Sequence, residues 1–289
     1  NPQLVSAYSL FYLITNLPKF PFIFHQLPLN IKERFQYYDF IDFGTGPGTY
    51  LLSHFLTIED FKGHYYGVDN SSLMRKQANK LLTAFGLKQD QFSLVEEISE
   101  ISFDNENKKI LFFGNSFNEI EIKLFKKIIA KVNPDIIFFL EPGTKESFRK
   151  ILSIRNELFK QGYSCHFPCP SGQLKCPMSD NQDWCHQILR IVHDDETQRL
   201  SQLVQLDRNN MPLTAQVFST IERSVRKELS GFMVRRLEDS KHSFKWQICL
   251  DEDNYKGLYE AEIYKKEFSK SELKYFKKIS TGVSFNFKV

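Results

Sequence analysis

Apolar residues follow two rhythms along the middle of the chain. Short continuous runs, at 38–43, 64–69, Lys109–Gly114 and Asp135–Leu140, read as strands covered on both faces. Between them lie longer stretches whose apolar positions recur every three or four residues: 48–57, 71–86, Glu119–Lys131 and a Lys- and Arg-rich run from 144 to about Gly162. A weaker strand is expected at Phe92–Glu96. Alternation of this kind predicts an α/β fold with a parallel sheet between helical layers. Upstream, Leu4, Tyr8, Phe11, Tyr12 and Ile14 keep a helical spacing, so residues 1–35 are expected to form a helical segment packed on the sheet. Downstream the rhythm is weaker. Glu196–Asp207 reads as a helix, Gln216–Ile221 as a late strand, and 231–264 as short strands parted by polar turns. The expected layout is a helical segment 1–35, a Rossmann-like core 36–162, a Cys-rich insertion 163–190, the remainder of the core 191–230 and a β-rich, mildly basic appendage 231–289.

The run Asp39–Phe43 passes directly into Gly44-Thr45-Gly46-Pro47-Gly48 and then a helix. Glycines at alternate positions permit a sharp turn and close approach of backbone to a ligand. The GxGxG spacing is tighter than the GxGxxG of dinucleotide folds and resembles the first motif of class I S-adenosylmethionine-dependent methyltransferases. The next strand, 64–69, ends in Asp69, whose carboxylate could accept both hydroxyls of an adenosyl ribose; its competing role is a helix cap before Ser71–Met74. Ligands of open parallel sheets lie beyond the carboxyl ends of the strands. That rule gathers Gly44, Gly46, Gly48, Asp69, Asn115–Glu119 and Glu141–Thr144 at one edge. Asn118-Glu119 reads equally well as a helix start, and Glu141 as a capping acid.

Composition narrows little: of 289 residues 42% are hydrophobic and 25% charged, and the net charge is +3. These values fit an ordinary globular protein and select no partner. The apolar stretch Leu10–Leu27 is interrupted by Pro18, Lys19, Pro21 and His25, so no bilayer-spanning helix and no membrane partner is expected. With no secretory signal visible, the expected compartment is the bacterial cytoplasm; a leader ahead of Asn1 would make it the mitochondrial matrix.

Four of the five cysteines fall between 165 and 185. Cys169, Cys176 and Cys185 share a stretch rich in Pro, Gly and Ser, where a reducing compartment favours a metal or iron–sulfur staple over a disulfide. Their spacing matches neither zinc ribbons nor ferredoxin runs. It leaves zinc and iron–sulfur both open and calls for a fourth ligand from Cys165, Cys249, His166 or His186. Cys249 alone would read as a buried apolar thiol.

Taken together, Asp42-Phe43-Gly44-Thr45-Gly46-Pro47-Gly48-Thr49, Leu140-Glu141-Pro142-Gly143-Thr144, Pro168-Cys169-Pro170 with Cys176-Pro177, and Asp183-Trp184-Cys185-His186 resemble the methyltransferase-like family associated with the mitochondrial small ribosomal subunit and its bacterial relatives. The resemblance spans about Tyr12 to Val289. It implies a class I methyltransferase fold and S-adenosylmethionine held by Asp42, Gly44, Thr45, Gly46, Gly48, Asp69, Asn115 and Glu141. It also implies a 4Fe-4S cluster, with zinc as the alternative, on Cys169, Cys176, Cys185 and Cys249, with Cys165 spare. The implied role is in small-subunit ribosome assembly and translation through rRNA, as a methyltransferase or as a non-enzymatic assembly factor whose cluster is structural or senses iron. Where that family carries a histidine after the first Cys-Pro, this chain has Ser171. No catalytic residue is nameable, and no oligomeric partner is implied. Lysines of the 144–161 helix and of the tail, Lys270, Lys274, Lys277 and Lys278, are candidates for phosphate contact or for a solvated face.

Overall fold

A computed structural model describes residues 1–104, 106–170, 175–179, 183–223, 229–252, 255–278 and 283–287. The main sheet contains β1 (Asp39–Phe43), β2 (Tyr65–Val68), β3 (Phe92–Val95), β4 (Lys109–Gly114), β5 (Ile136–Pro142), β6 (Ser164–Phe167), β7 (Gln187–Arg190) and β8 (Asn210–Ser219). Its order is β3-β2-β1-β4-β5-β8-β6, with β7 also paired to β8. β1 to β5 run parallel, whereas β8 runs antiparallel to β5, β6 and β7. The connecting helices are α1 (Thr49–Thr57), α2 (Ser72–Ala84), α3 (Ile122–Val132), α4 (Lys145–Lys160) and α5 (Asp195–Leu203).

Each central strand sends alternate side chains to two separate cores, which is why its sequence is apolar throughout. Ile110, Phe112, Ile136 and Phe138 join one core; Leu111, Phe113, Ile137 and Phe139 join the other. α3 and α4 cover the second face with Phe125, Ile128, Ile151 and Leu158. The N-terminal segment helps to cover the first. Phe20 lies 6.1, 6.0 and 5.8 Å from the rings of Phe40, Phe112 and Phe138, so residues 1–35 are an integral layer of the fold. Within them, short helices at Pro2–Tyr8, Lys19–Phe24 and Leu29–Lys32 flank a π-helical turn at Ser9–Leu13.

Two sequence expectations change. The stretch 163–190 begins and ends in strands of the main sheet, β6 and β7, and Met178 between them packs into the first core. The late strand is longer and earlier than 216–221, because β8 fills the gap between β5 and β6 over ten residues. Beyond it, β9 (Leu229–Asp239), β10 (Ser243–Glu252), β11 (Tyr255–Tyr264) and β12 (Val283–Phe287) form a second sheet in the order β11-β10-β9-β12. Three of these strands are long, not short. Phe276 of α6 (Lys270–Lys278) packs on one face against Phe244 and Trp246, while Phe232 and Val234 join the first core of the main sheet. Among the described residues no helix is long and apolar enough to cross a membrane.

Candidate functional site

β1 delivers Asp42 and the glycine turn to the carboxyl edge of the sheet. All three glycines hold positive φ, but they answer to different constraints. A Cβ on Gly44 would stand 2.5 Å from the Cβ of Ser116, whereas one on Gly46 would meet nothing within 4 Å. Gly44 therefore lets the turn pass the exit of β4, and Gly46 borders open space. Asp42 is fully buried; Thr45 Oγ1 donates to its Oδ2 at 2.8 Å, and Oδ1 has no partner among the described residues. Burial pushes its carboxyl up to about 7, against the pull of the Thr45 bond.

Asp69 does more than cap a helix. Its Oδ2 accepts from Gly46 N at 2.8 Å and its Oδ1 from Ser71 N at 2.9 Å. The cap of α2 is Ser71, whose Oγ accepts from Met74 N. Asp69 thus fastens the glycine turn to the end of β2, and each oxygen keeps a second lone pair for a ligand hydroxyl.

Asn115 adopts φ +55° and its Nδ2 donates to the Tyr50 hydroxyl at 2.9 Å. Glu141 is buried, and its Oε1 accepts from Ser116 N at 3.0 Å and Phe117 N at 2.8 Å. It therefore organises the exit of β4; the cap of α4 is Thr144. Glu141 Oε2 has no partner among the described residues, and burial lifts the carboxyl to about 7 despite the backbone donors. Asn118 is drawn toward α4: its Nδ2 donates to Ser147 Oγ at 2.6 Å, and its carbonyl accepts from Lys150 Nζ.

Four residues that sequence reasoning did not select stand at this edge. Tyr8 lies within electrostatic reach of Asp69, Glu119 and Arg208. Arg208 lies over the rings of Phe11 and Tyr12, at 5.3 and 5.0 Å. Lys19 is 5% exposed and feels both Arg208 and Glu141. Tyr50 feels Glu141 and Asp42. The sequence did carry one signal, a lysine inside an otherwise apolar and aromatic stretch. A cavity of about 550 Å³ lined by Lys108, Lys126, Asp135 and Glu157 opens at the opposite edge. There Lys108 pairs with Asp135 at 3.0 Å and Lys126 with Glu157 at 3.7 Å.

Cys169, Cys176, Cys185 and Cys249 all line one cavity of about 40 Å³ beside α4. Cys165 does not line that cavity; its thiol lies within reach of Phe167 O, at 3.1 Å, and of the Cys169 sulfur. Cys169 Sγ accepts from Arg155 Nη1 at 3.1 Å. A hydrogen bond from Cys165 and the Arg155 cation bring its thiol down to about 6, while burial and the neighbouring Cys169, Cys176 and Cys249 push Cys185 up. Among the described residues no group of three or more His, Cys, Asp or Glu is disposed to hold a metal ion. Neighbouring contacts fix the segment: Trp184 Nε1 donates to Gly143 O at 2.9 Å, Asp183 pairs with Arg235 of β9, and Phe167 packs on Phe232.

On the helix 144–161, Lys160 is exposed while three other cations are engaged within the fold. Arg149 donates to Ser179 O, Lys150 to Asn118 O and Arg155 to Cys169.

The parallel order 3-2-1-4-5, the antiparallel strand inserted beside β5 and the glycine turn after β1 define a Rossmann-like fold of the class I methyltransferase type. The model of the family described as mitochondrial small ribosomal subunit Rsm22 matches residues 9–270, and the chain belongs to that family. No curated protein matches the sequence. Similar solved structures include a SAM-dependent methyltransferase from Aquifex aeolicus, 18% identical, covering 60% of this chain and 93% of its own, with a TM-score of 0.40. The plantazolicin methyltransferase BamL, solved with a triazolic desmethylPZN analog and SAH, is 16% identical over 64% of this chain and 78% of its own, with a TM-score of 0.38. The methyltransferase domain of bacterial CtHen1 is 15% identical over 71% and 98%, with a TM-score of 0.41.

Proposed function

We propose that this protein binds S-adenosylmethionine at the carboxyl edge of the main sheet and acts on small-subunit rRNA during ribosome assembly, in the mitochondrial matrix where the family name points. The observation that carries the reading is the glycine turn fastened by Asp69, with open space at Gly46, in a member of a small-ribosomal-subunit family. A bound cofactor would supply an electrophilic methyl group. Gly44, Thr45, Gly46 and Gly48 would hold it by backbone, Asp69 would take its ribose, and Asp42, Asn115 and Glu141 would set the turn and the acceptor side. Methyl transfer depends chiefly on holding acceptor and sulfonium in line, so a general base is not required. The test is methyl transfer from labelled cofactor to small-subunit rRNA, with rRNA binding measured alongside. Transfer supports the enzyme; tight rRNA binding without transfer assigns the fold to a non-enzymatic assembly factor; neither overturns the reading.

The four cavity-lining thiols fit a soft metal centre in donor chemistry, and a cubane cluster accepts a wider set of thiolates than one ion does. The reading adopted is a 4Fe-4S centre on Cys169, Cys176, Cys185 and Cys249, where it would join the segment after β5 to β10. The visible spectrum and the iron, sulfide and zinc content of anaerobically purified protein test it. Zinc without sulfide replaces the cluster with an ion; no metal at all removes the centre.

A further inference from the structure

Two cations at the cofactor edge, Lys19 and Arg208, make no ion pair among the described residues. Lys19 is 5% exposed, and its electrostatic neighbours are Arg208, of like sign, and Glu141. No hydrogen bond or ion pair reaches its ammonium among the described residues. Glu141 makes no ion pair with Lys19 among the described residues, and its Oε1 is held by the backbone donors of Ser116 and Phe117. Arg208 is held over Phe11 and Tyr12, and its buried Nε has no partner among the described residues. Burial and the Arg208 cation depress the ammonium to about 8. Leaving a buried ammonium uncompensated is costly, and two such cations within reach of one another repel. A negative ligand relieves both.

We propose that Lys19 and Arg208 clamp the α-carboxylate at the amino-acid end of S-adenosylmethionine and its demethylated product; this rests on the cofactor reading above. A planar carboxylate suits a guanidinium fork together with a point-charge ammonium. The site lies under the N-terminal segment and beside Glu141, on the same edge as the glycine turn.

Calorimetry with two ligands tests the clamp: S-adenosylhomocysteine, which carries the carboxylate, and 5′-methylthioadenosine, which keeps the adenosyl and thioether groups without the amino-acid end. Lys19→Met and Arg208→Met are each expected to weaken S-adenosylhomocysteine about 10- to 100-fold, the range for one charge-assisted contact, and to leave methylthioadenosine unchanged. Ligand-free Lys19→Met is expected to melt no lower than wild type, because the change removes an uncompensated buried charge. Equal loss of both ligands, or a lower melting temperature without ligand, makes Lys19 a structural residue and overturns the clamp. Unchanged S-adenosylhomocysteine affinity with weakened rRNA binding assigns the cations to phosphate instead and also overturns it. Wild-type protein that binds neither nucleoside overturns the cofactor reading and the clamp together.

Discussion

Asp42 and Glu141 are buried carboxyl groups held up to about 7 at the carboxyl edge of the main sheet, and that has a direct consequence for stability. A folded-state value above the unfolded one means that the native protein binds the proton more tightly. The stabilisation is complete below the unfolded value near 4 and is lost as pH rises through about 7. Asp42→Asn keeps an acceptor for Thr45 and removes the charge. In thermal melts of ligand-free protein it is expected to be more stable than wild type at pH 8, by on the order of 2 to 4 kcal/mol, with the gap closing toward pH 4. A constant gap across that range would place Asp42 in a more solvated setting than its burial indicates. The sequence gathered Glu141 at the carboxyl edge because it follows an apolar strand, whereas Asp42 entered only through the family resemblance. It could not reveal that Glu141 serves the exit of β4, since that contact joins positions 25 residues apart. Lys19 was legible only as an interruption of an apolar run, and its meaning depends on Arg208, a loop residue with no periodic signal.

At the scale of elements, the glycine turn separates fold from ligand binding. Gly44→Ala drives a Cβ into Ser116 and strains a left-handed backbone, so a destabilisation of roughly 2 to 4 kcal/mol is expected in denaturant melts. Gly46→Ala meets no atom within 4 Å and is expected to cost only about 1 kcal/mol of backbone strain, while filling the space proposed for cofactor and removing its binding. Equal stability losses in the two variants would show that Gly46 is not at a cavity edge. The parallel strands β1, β2, β4 and β5 were readable because burial on both faces leaves unbroken apolar runs. β8 was read only from Gln216 onward, because Thr214 and Gln216 interrupt its pattern. Gln187 Oε1 accepts from Ala215 N in the same region, a polar pairing that only the fold brings about. The segment 163–190 read as one insertion because its prolines and cysteines dominate locally, whereas β6 and β7 are only four residues each.

Across the whole molecule, the cysteine cavity is lined from both sides, by Cys169, Cys176 and Cys185 and by Phe232 and Cys249 of the second sheet, and α6 carries exposed lysines. Lys274 and Lys277 are exposed on that helix, whereas Arg149, Lys150 and Arg155 of α4 are engaged within the fold. Replacing Lys274, Lys277 and Lys278 with Ala is expected to flatten the dependence of log affinity for rRNA on log salt; an unchanged slope would leave them a solvated face. Cys249 lies on β10, so Cys249→Ser is expected to lose iron and sulfide together and to open the 163–190 segment to protease, while Cys165→Ser keeps both. Full metal retention in Cys249→Ser would dissolve the link between the sheets.

Calorimetry of wild type against Asp69→Ala with S-adenosylhomocysteine tests the proposed methyl-donor site most directly. The expected result is one site in wild type and a loss of about 1.5 to 3 kcal/mol in the variant, read beside a melt showing that the fold persists without the Gly46 anchor. No detectable binding by wild type, or equal affinity in the two proteins, would contradict it.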